Sequence, residues 1–187
     1  MTTVLRATQV AGVVELVGSS FRDQRGAFLN GFRAQEPVFV EAWGQRTIAQ
    51  VNLSRTEAVA TVRGLHLQVH PHSEAKLVRC LRGRVWDVAV DLRPDSTTYR
   101  KWHGVELSPV AGNALLIPEG CAHGYQVLEA GSELLYLHSG AWVPQAEAGV
   151  HCRDPQLAIT WPLPPQGLSD RDQQLPSLPA DPHNLQR

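Results

Sequence analysis

The centre of the fold is written in Ala75-Lys76-Leu77-Val78-Arg79-Cys80-Leu81-Arg82-Gly83-Arg84-Val85-Trp86-Asp87-Val88-Ala89-Val90-Asp91. Two apolar-rich runs, 75–81 and 84–91, flank Arg82-Gly83, and that pattern predicts two strands joined by a hairpin. Successive side chains along a strand point to opposite faces. Trp86, Val88 and Val90 therefore share one face of the second run, and Asp87 and Asp91 share the other. Apolar residues outside and charged ones inside predict a barrel or sandwich with a polar lumen.

On either side of this stretch, further strands are expected at 46–54, 57–68, 101–108, 113–118, 122–128 and 132–139. Strands this frequent, separated by short turns, predict an antiparallel all-β barrel. A short helix is expected over Pro37 to Trp43. Prolines at 162, 164, 165, 176, 179 and 182 predict an extended C-terminal segment, with a mobile tail over 180–187. The 187 residues suit one domain with a closed core.

Apolar residues make up 43% of the chain and charged residues 19%, with a net charge of -1. That balance argues against general attraction to nucleic acid or to a membrane surface. The opening residues lack the apolar core of a secretory leader, and no run approaches a membrane span. Cys80, Cys121 and Cys152 are too scattered for a disulfide framework, and Cys80 reads as a small buried side chain. The expected location is the reducing cytoplasm.

Two motifs carry chemistry. Gly112-Asn113-Ala114-Leu115-Leu116-Ile117-Pro118-Glu119-Gly120-Cys121-Ala122-His123 fits the second cupin motif, Gly-x5-Pro-x-Gly-x2-His. A strand ends at the Pro-x-Gly turn, and the next aims a histidine into the barrel. The cluster His66, His70, His72 and Glu74, joined by His123, offers nitrogen and oxygen ligands for a metal. Its spacing departs from that of metal-binding cupins, because Glu74 follows His72 by only two residues. The ammonium of Lys76 just beyond would repel a divalent cation. Solvated loop histidines at 70 and 72, no metal and no cofactor are the expectation.

The whole chain resembles the dTDP-4-dehydrorhamnose 3,5-epimerase family. The resemblance rests on Phe21-Arg22-Asp23-Gln24-Arg25-Gly26-Ala27-Phe28, Gln50-Val51-Asn52-Leu53-Ser54, Arg63-Gly64-Leu65-His66-Leu67-Gln68 and Lys76-Leu77-Val78-Arg79. It continues through 87–93, Ile117-Pro118-Glu119-Gly120, Ala122-His123-Gly124 and Leu135-Tyr136. Asp154-Pro155, Ile159-Thr160-Trp161-Pro162 and Leu168-Ser169-Asp170-Arg171-Asp172 complete it. It implies a cupin-type jelly roll with short peripheral helices, assembled as a homodimer sharing N-terminal strands.

The resemblance also implies a reaction. A base removes the proton next to the C4 ketone of a dTDP-4-keto-6-deoxy sugar, and an acid returns one on the opposite face, at C3 and at C5. The base corresponds to His66, with Asp172 orienting it, and the acid to Tyr136; Lys76 faces the C4 oxygen. Histidine suits the role, since its unperturbed pKa of about 6.5 leaves it neutral yet basic. Arg63 corresponds to a diphosphate contact and His123 lies beside the site, paired with Asp87. Arg25, Phe28, Asn30, Gln50, Asn52 and Trp142 complete the expected substrate-binding set. Three residues depart from the family pattern: Asn30 stands for a usual glutamate, Trp142 for a tyrosine and Tyr125 for a phenylalanine. The first two bear on recognition of the base or sugar. The rival readings are an epimerase acting at C3 alone, a sugar 3,4-ketoisomerase, a metal-dependent cupin and a non-enzymatic sugar-binding cupin.

Overall fold

The computed structural model describes residues 3–181 and 184–185. Its strands are β1 (Thr3–Ala7), β2 (Val14–Gly18), β3 (Phe21–Asp23), β4 (Gly26–Phe28), β5 (Gln50–Thr56), β6 (Val62–Gln68) and β7 (Lys76–Arg82). They continue with β8 (Val85–Asp91), β9 (Trp102–Leu107), β10 (Asn113–Ile117), β11 (Cys121–Val127), β12 (Ser132–His138) and β13 (Glu147–Gly149). Helix α1 (Pro37–Trp43) precedes β5, and α2 (Asp170–Gln173) lies near the C-terminus. Two antiparallel sheets face each other as a jelly roll, ordered β1-β2-β10-β7-β12-β5 and β13-β6-β11-β8-β9. The β3–β4 hairpin stands apart from both.

The expected hairpin at Arg82-Gly83 does not form. β7 and β8 belong to opposite sheets, so the turn carries the chain across the sandwich. Gly83 adopts φ 75°, and a Cβ there would run into Ser132, so the corner needs glycine. Alternation along a strand tells which side chains face inward. It does not tell which strand lies alongside.

That inward pattern holds on both sides of the turn. Val78, Cys80, Val85 and Ala89 pack between the sheets with Leu115, Tyr125 and Leu134. On the outside, Leu77 joins Leu16, Ala114 and Leu116 beneath Phe39 and Trp43 of α1. Pro37 starts this helix, where its missing N–H costs nothing, and Gly44 ends it at φ 67°. Each of its two buried aromatics contributes about 2 kcal/mol by the area it removes from water. On the other sheet, Val88 and Val90 lie under Leu157, Leu178 and Trp161 of the proline-rich segment. The prolines hold an extended strap whose apolar side chains cover that sheet.

Asp87 is buried inside, as the alternation predicts. Asp91, at the strand end, instead accepts hydrogen bonds from Arg93, Ser96 and Thr98 and organises the following turn. Of the tail expected to be mobile, residues 182, 183, 186 and 187 lie outside the described residues, while Leu185 packs against the strap's cluster.

Candidate active site

Gly64 and Gly124 let β6 and β11 approach closely where the site begins. A Cβ at Gly64 would stand 2.6 Å from the Gly124 Cα. Just beyond this contact His66 and His123 are direct partners across the two strands. The Arg-Gly-Leu-His and Ala-His-Gly motifs thus encode two histidines side by side and the glycines that make room for them.

Each histidine is backed by an aspartate. Asp172 Oδ1 lies 2.6 Å from His66 Nε2, and Asp87 Oδ1 lies 2.8 Å from His123 Nε2. A carboxylate only accepts, so Nε2 of His66 carries the proton and Nδ1 is left as the basic atom. Asp172 is placed by α2. Its backbone N–H donates to the side chain of the N-cap Ser169 at 3.1 Å, a cap worth about 1 kcal/mol. Arg171 ties the same short helix to Glu147 on β13 at 2.7 Å. Asp172 Oδ2 accepts from the Gly64 N–H at 3.2 Å. Burial alone would raise the Asp172 carboxyl, but His66 and the Gly64 N–H outweigh it and hold the group below its ordinary value.

The opposite sheet supplies Tyr136 and Lys76. The Tyr136 ring sits 5.9 Å from that of His123, edge to face, and its hydroxyl lies 3.3 Å from Ser54 Oγ. Burial pushes the phenol well above its usual value, so it stays protonated and able to donate. Ser54 and Thr56 also meet the Tyr125 hydroxyl, at 3.2 and 2.9 Å, and Arg63 Nε donates to Thr56 at 2.9 Å. The hydroxyl that distinguishes Tyr125 from a phenylalanine is therefore satisfied inside this network. Lys76 Nζ donates to the His66 carbonyl at 3.3 Å and faces Glu74 Oε1 at 3.4 Å. Burial pulls its ammonium below the ordinary value, and the nearby Glu74 carboxylate opposes that pull.

These groups line one cavity of about 880 Å³, a volume suited to a sizeable polar ligand. Of the residues singled out from sequence, it brings together His66, Lys76, Tyr136, Asp172, Gln50, Asn52, Arg63, His123 and Trp142. Trp142 is 56% exposed, and its backbone N–H donates to Gln50 Oε1 at 2.9 Å. Arg25, Phe28 and Asn30 are not among its walls. Arg25 is fully exposed and pairs with Asp23 at 2.6 Å, Phe28 is 59% exposed, and the Asn30 amide meets Arg33. His70 and His72 are exposed in the loop before β7. Among the described residues no group of three His, Cys, Asp or Glu side chains is arranged to hold a metal, and no helix is long and apolar enough to cross a membrane.

The family model described as dTDP-4-dehydrorhamnose 3,5-epimerase matches residues 7–180. The chain belongs to the dTDP-4-dehydrorhamnose 3,5-epimerase family. It is 42% identical to a dTDP-4-dehydrorhamnose 3-epimerase of Streptomyces niveus, over 90% of this chain and 81% of that protein. With a 3,5-epimerase of Shigella flexneri it shares 39% identity, over 88% of this chain and 90% of the relative. Among solved structures, the Legionella pneumophila dTDP-6-deoxy-D-glucose-3,5-epimerase in complex with dTDP-4-keto-L-rhamnose superposes with a TM-score of 0.91. That pair is 35% identical, and the match covers 100% of this chain and 98% of the other.

His138 belongs to no motif in the sequence, and Glu74 reads there only as a candidate metal ligand. Both line the cavity. The signal for His138 was its position two residues after Tyr136, which sets the two side chains on one strand face. Their rings stack at 5.9 Å with 23° between planes.

Proposed function

We propose that the protein is a cytoplasmic epimerase that inverts C3 and C5 of dTDP-4-keto-6-deoxy-D-glucose to give dTDP-4-keto-L-rhamnose. The observation that carries this reading is the opposition of His66–Asp172 on one sheet to Tyr136 on the other, with Lys76 in the same cavity. Inversion requires proton removal on one face and proton return on the other, and these groups approach from two sides.

His66 Nδ1 takes the proton from C3, and the C–H electron pair moves into an enolate whose charge rests on the C4 oxygen. Asp172 holds the imidazole's tautomer and stabilises the imidazolium. Lys76 donates to the enolate oxygen, an electrostatic contribution that appears as the charge develops. The Tyr136 hydroxyl then delivers a proton to the opposite face of C3. The imidazolium releases its proton to solvent and the tyrosinate regains one from it; the sugar turns, and the same steps follow at C5, using the same oxygen and the same lysine. Arg63 binds the diphosphate as a fork of donors, while Gln50, Asn52 and Trp142 hold the nucleotide end. The residues need neither a metal nor a cofactor for this chemistry.

The partner in this reading is a second copy of the chain. β5 is an edge strand whose Val51 and Leu53 are exposed, and the β3–β4 hairpin presents Phe21 and Phe28 to solvent. In a homodimer that hairpin brings Arg25, Phe28 and Asn30 to the neighbouring cavity, which accounts for their distance from their own.

One observation favours a second reading, inversion at C3 alone: the Streptomyces niveus relative is named a 3-epimerase. The deciding experiment incubates dTDP-4-keto-6-deoxy-D-glucose with the protein and identifies the product by NMR. The L-rhamno product supports inversion of both centres. A product inverted only at C3 supports the second reading, and unchanged substrate overturns both.

A further inference from the structure

Glu74 has a buried side chain, 6% exposed, and three partners that converge on its carboxylate. Lys76 Nζ lies 3.4 Å from Oε1, and His138 Nδ1 lies 3.7 Å from the same oxygen. Gln68 Nε2 donates to the other oxygen, Oε2. The His138 tautomer follows from the next link. Its Nε2 lies 3.3 Å from Asn52 Nδ2, a donor, so Nε2 accepts and the ring proton sits on Nδ1, toward Glu74. The Asn52 oxygen is occupied by Gln50 Nε2 at 3.0 Å, and Gln50 Oε1 accepts from the Trp142 backbone N–H. Gln68 Oε1 accepts from the Val143 N–H in the same segment. Both branches of this chain of contacts end at Glu74.

We propose that Glu74 is a positioning residue for the reaction, holding Lys76 charged and aimed at the substrate oxygen while His138 and Gln68 hold Glu74. The proposal rests on the enolate-stabilising role given to Lys76 above. Burial of a lysine side chain only 9% exposed favours the neutral amine, a nearby carboxylate opposes that pull, and a neutral amine is a weak partner for a developing oxyanion. Glu74 is the carboxylate in direct reach. Glu147 on β13 and Asp87 on β8 act on Lys76 only through longer-range charge. His66 meets Lys76 through its backbone carbonyl, and His138 turns Nδ1 toward Glu74.

The chain has two lysines, Lys76 and Lys101, so lysine labelled with 13C at Cε gives a spectrum that can be assigned with one K101R variant. The test titrates Lys76 in the wild type, E74Q and E74D, and measures kcat and KM for each against pH. E74Q is expected to move the Lys76 midpoint to lower pH and the alkaline fall of kcat with it. Its kcat at neutral pH should drop roughly tenfold or more, with KM within about threefold of wild type. E74D, which restores the charge, should recover much of that loss. An unmoved Lys76 midpoint in E74Q overturns the proposal, as does a loss that falls on KM instead of kcat. Should E74Q fail to fold, the charge-removing E74A carries the same test, and an unmoved Lys76 midpoint there overturns the proposal. The titration needs no turnover, so a wild type inactive on the dTDP sugar would refute the proposed function without touching this result.

Discussion

His66–Asp172 and His123–Asp87 are two histidine–aspartate pairs on neighbouring strands, alike in atoms and nearly alike in distance. They differ in access and in how the aspartate is held. The His66 side chain is 29% exposed toward the cavity, while that of His123 is 7% exposed. Asp172 uses both oxygens, one on His66 and one on the Gly64 N–H, and it rides on a separate capped helix. Asp87 lies within β8, and its Oδ2 has no hydrogen-bond partner among the described residues. In the proposed reaction the same pair of residue types serves two purposes. One pair is open and fully braced, fit to take and release a proton. The other is closed and orients a ring that packs against Tyr136 and Tyr125.

The largest expected effect separates the two histidines. His66→Ala should lower kcat by about 10³-fold or more and nearly stop substrate proton exchange, in line with loss of a general base. His123→Ala should cost about tenfold or less, because the base remains. Equal losses in steady-state kinetics would erase the distinction. Tyr136→Phe comes next, at about 10²-fold in product formation. Here exchange of the C3 proton with solvent should outlast inversion, since removal survives and return from the far face does not. If exchange and inversion fall together, Tyr136 is not the acid.

Much of this contrast was legible in the sequence, and its limits are physical. His66, Lys76 and Tyr136 lie on strands, where alternation fixes the face, and the glycines beside His66 and His123 mark the close approach. Helix α1 was readable from Pro37 onward because Phe39 and Trp43 have the spacing to cover a sheet. The route of the chain at Gly83 was not readable, since alternation is the same for a hairpin and for a crossing between sheets. Nor was the Glu74–His138 contact, which joins residues 64 positions apart through strand register alone. The positions of Arg25, Phe28 and Asn30 were equally hidden, because a spacing motif records no distance from the cavity.

A smaller effect tests how Asp172 is held. Asp172→Asn should lower kcat less than His66→Ala, since it disturbs tautomer and charge without deleting the base. The folded Asp172 carboxyl sits below its ordinary value. Its stabilising contribution is therefore present above the unfolded carboxylate range, near pH 4 or about 3.9, and is lost as pH falls through the folded value. The wild type's advantage in melting temperature over Asp172→Asn should narrow on acidification. An advantage that widens toward low pH would contradict the pairing. The smallest effect expected is that of metal removal. Exhaustive chelation should leave turnover unchanged, because Lys76 occupies the cavity while His70 and His72 stand outside it. Activity lost to a chelator and restored by zinc, iron or manganese would overturn the metal-free reaction.

Proton exchange at C3 and C5 reports directly on the base. dTDP-4-keto-6-deoxy-D-glucose is incubated in D2O with the wild type or with His66→Ala, and deuterium at each carbon is followed by proton NMR. Label is expected at C3 and then at C5 with the wild type, and almost none with the variant. Near-normal exchange by His66→Ala would remove His66 as the base, and C5 retaining its proton through long incubation with the wild type would contradict inversion at both centres.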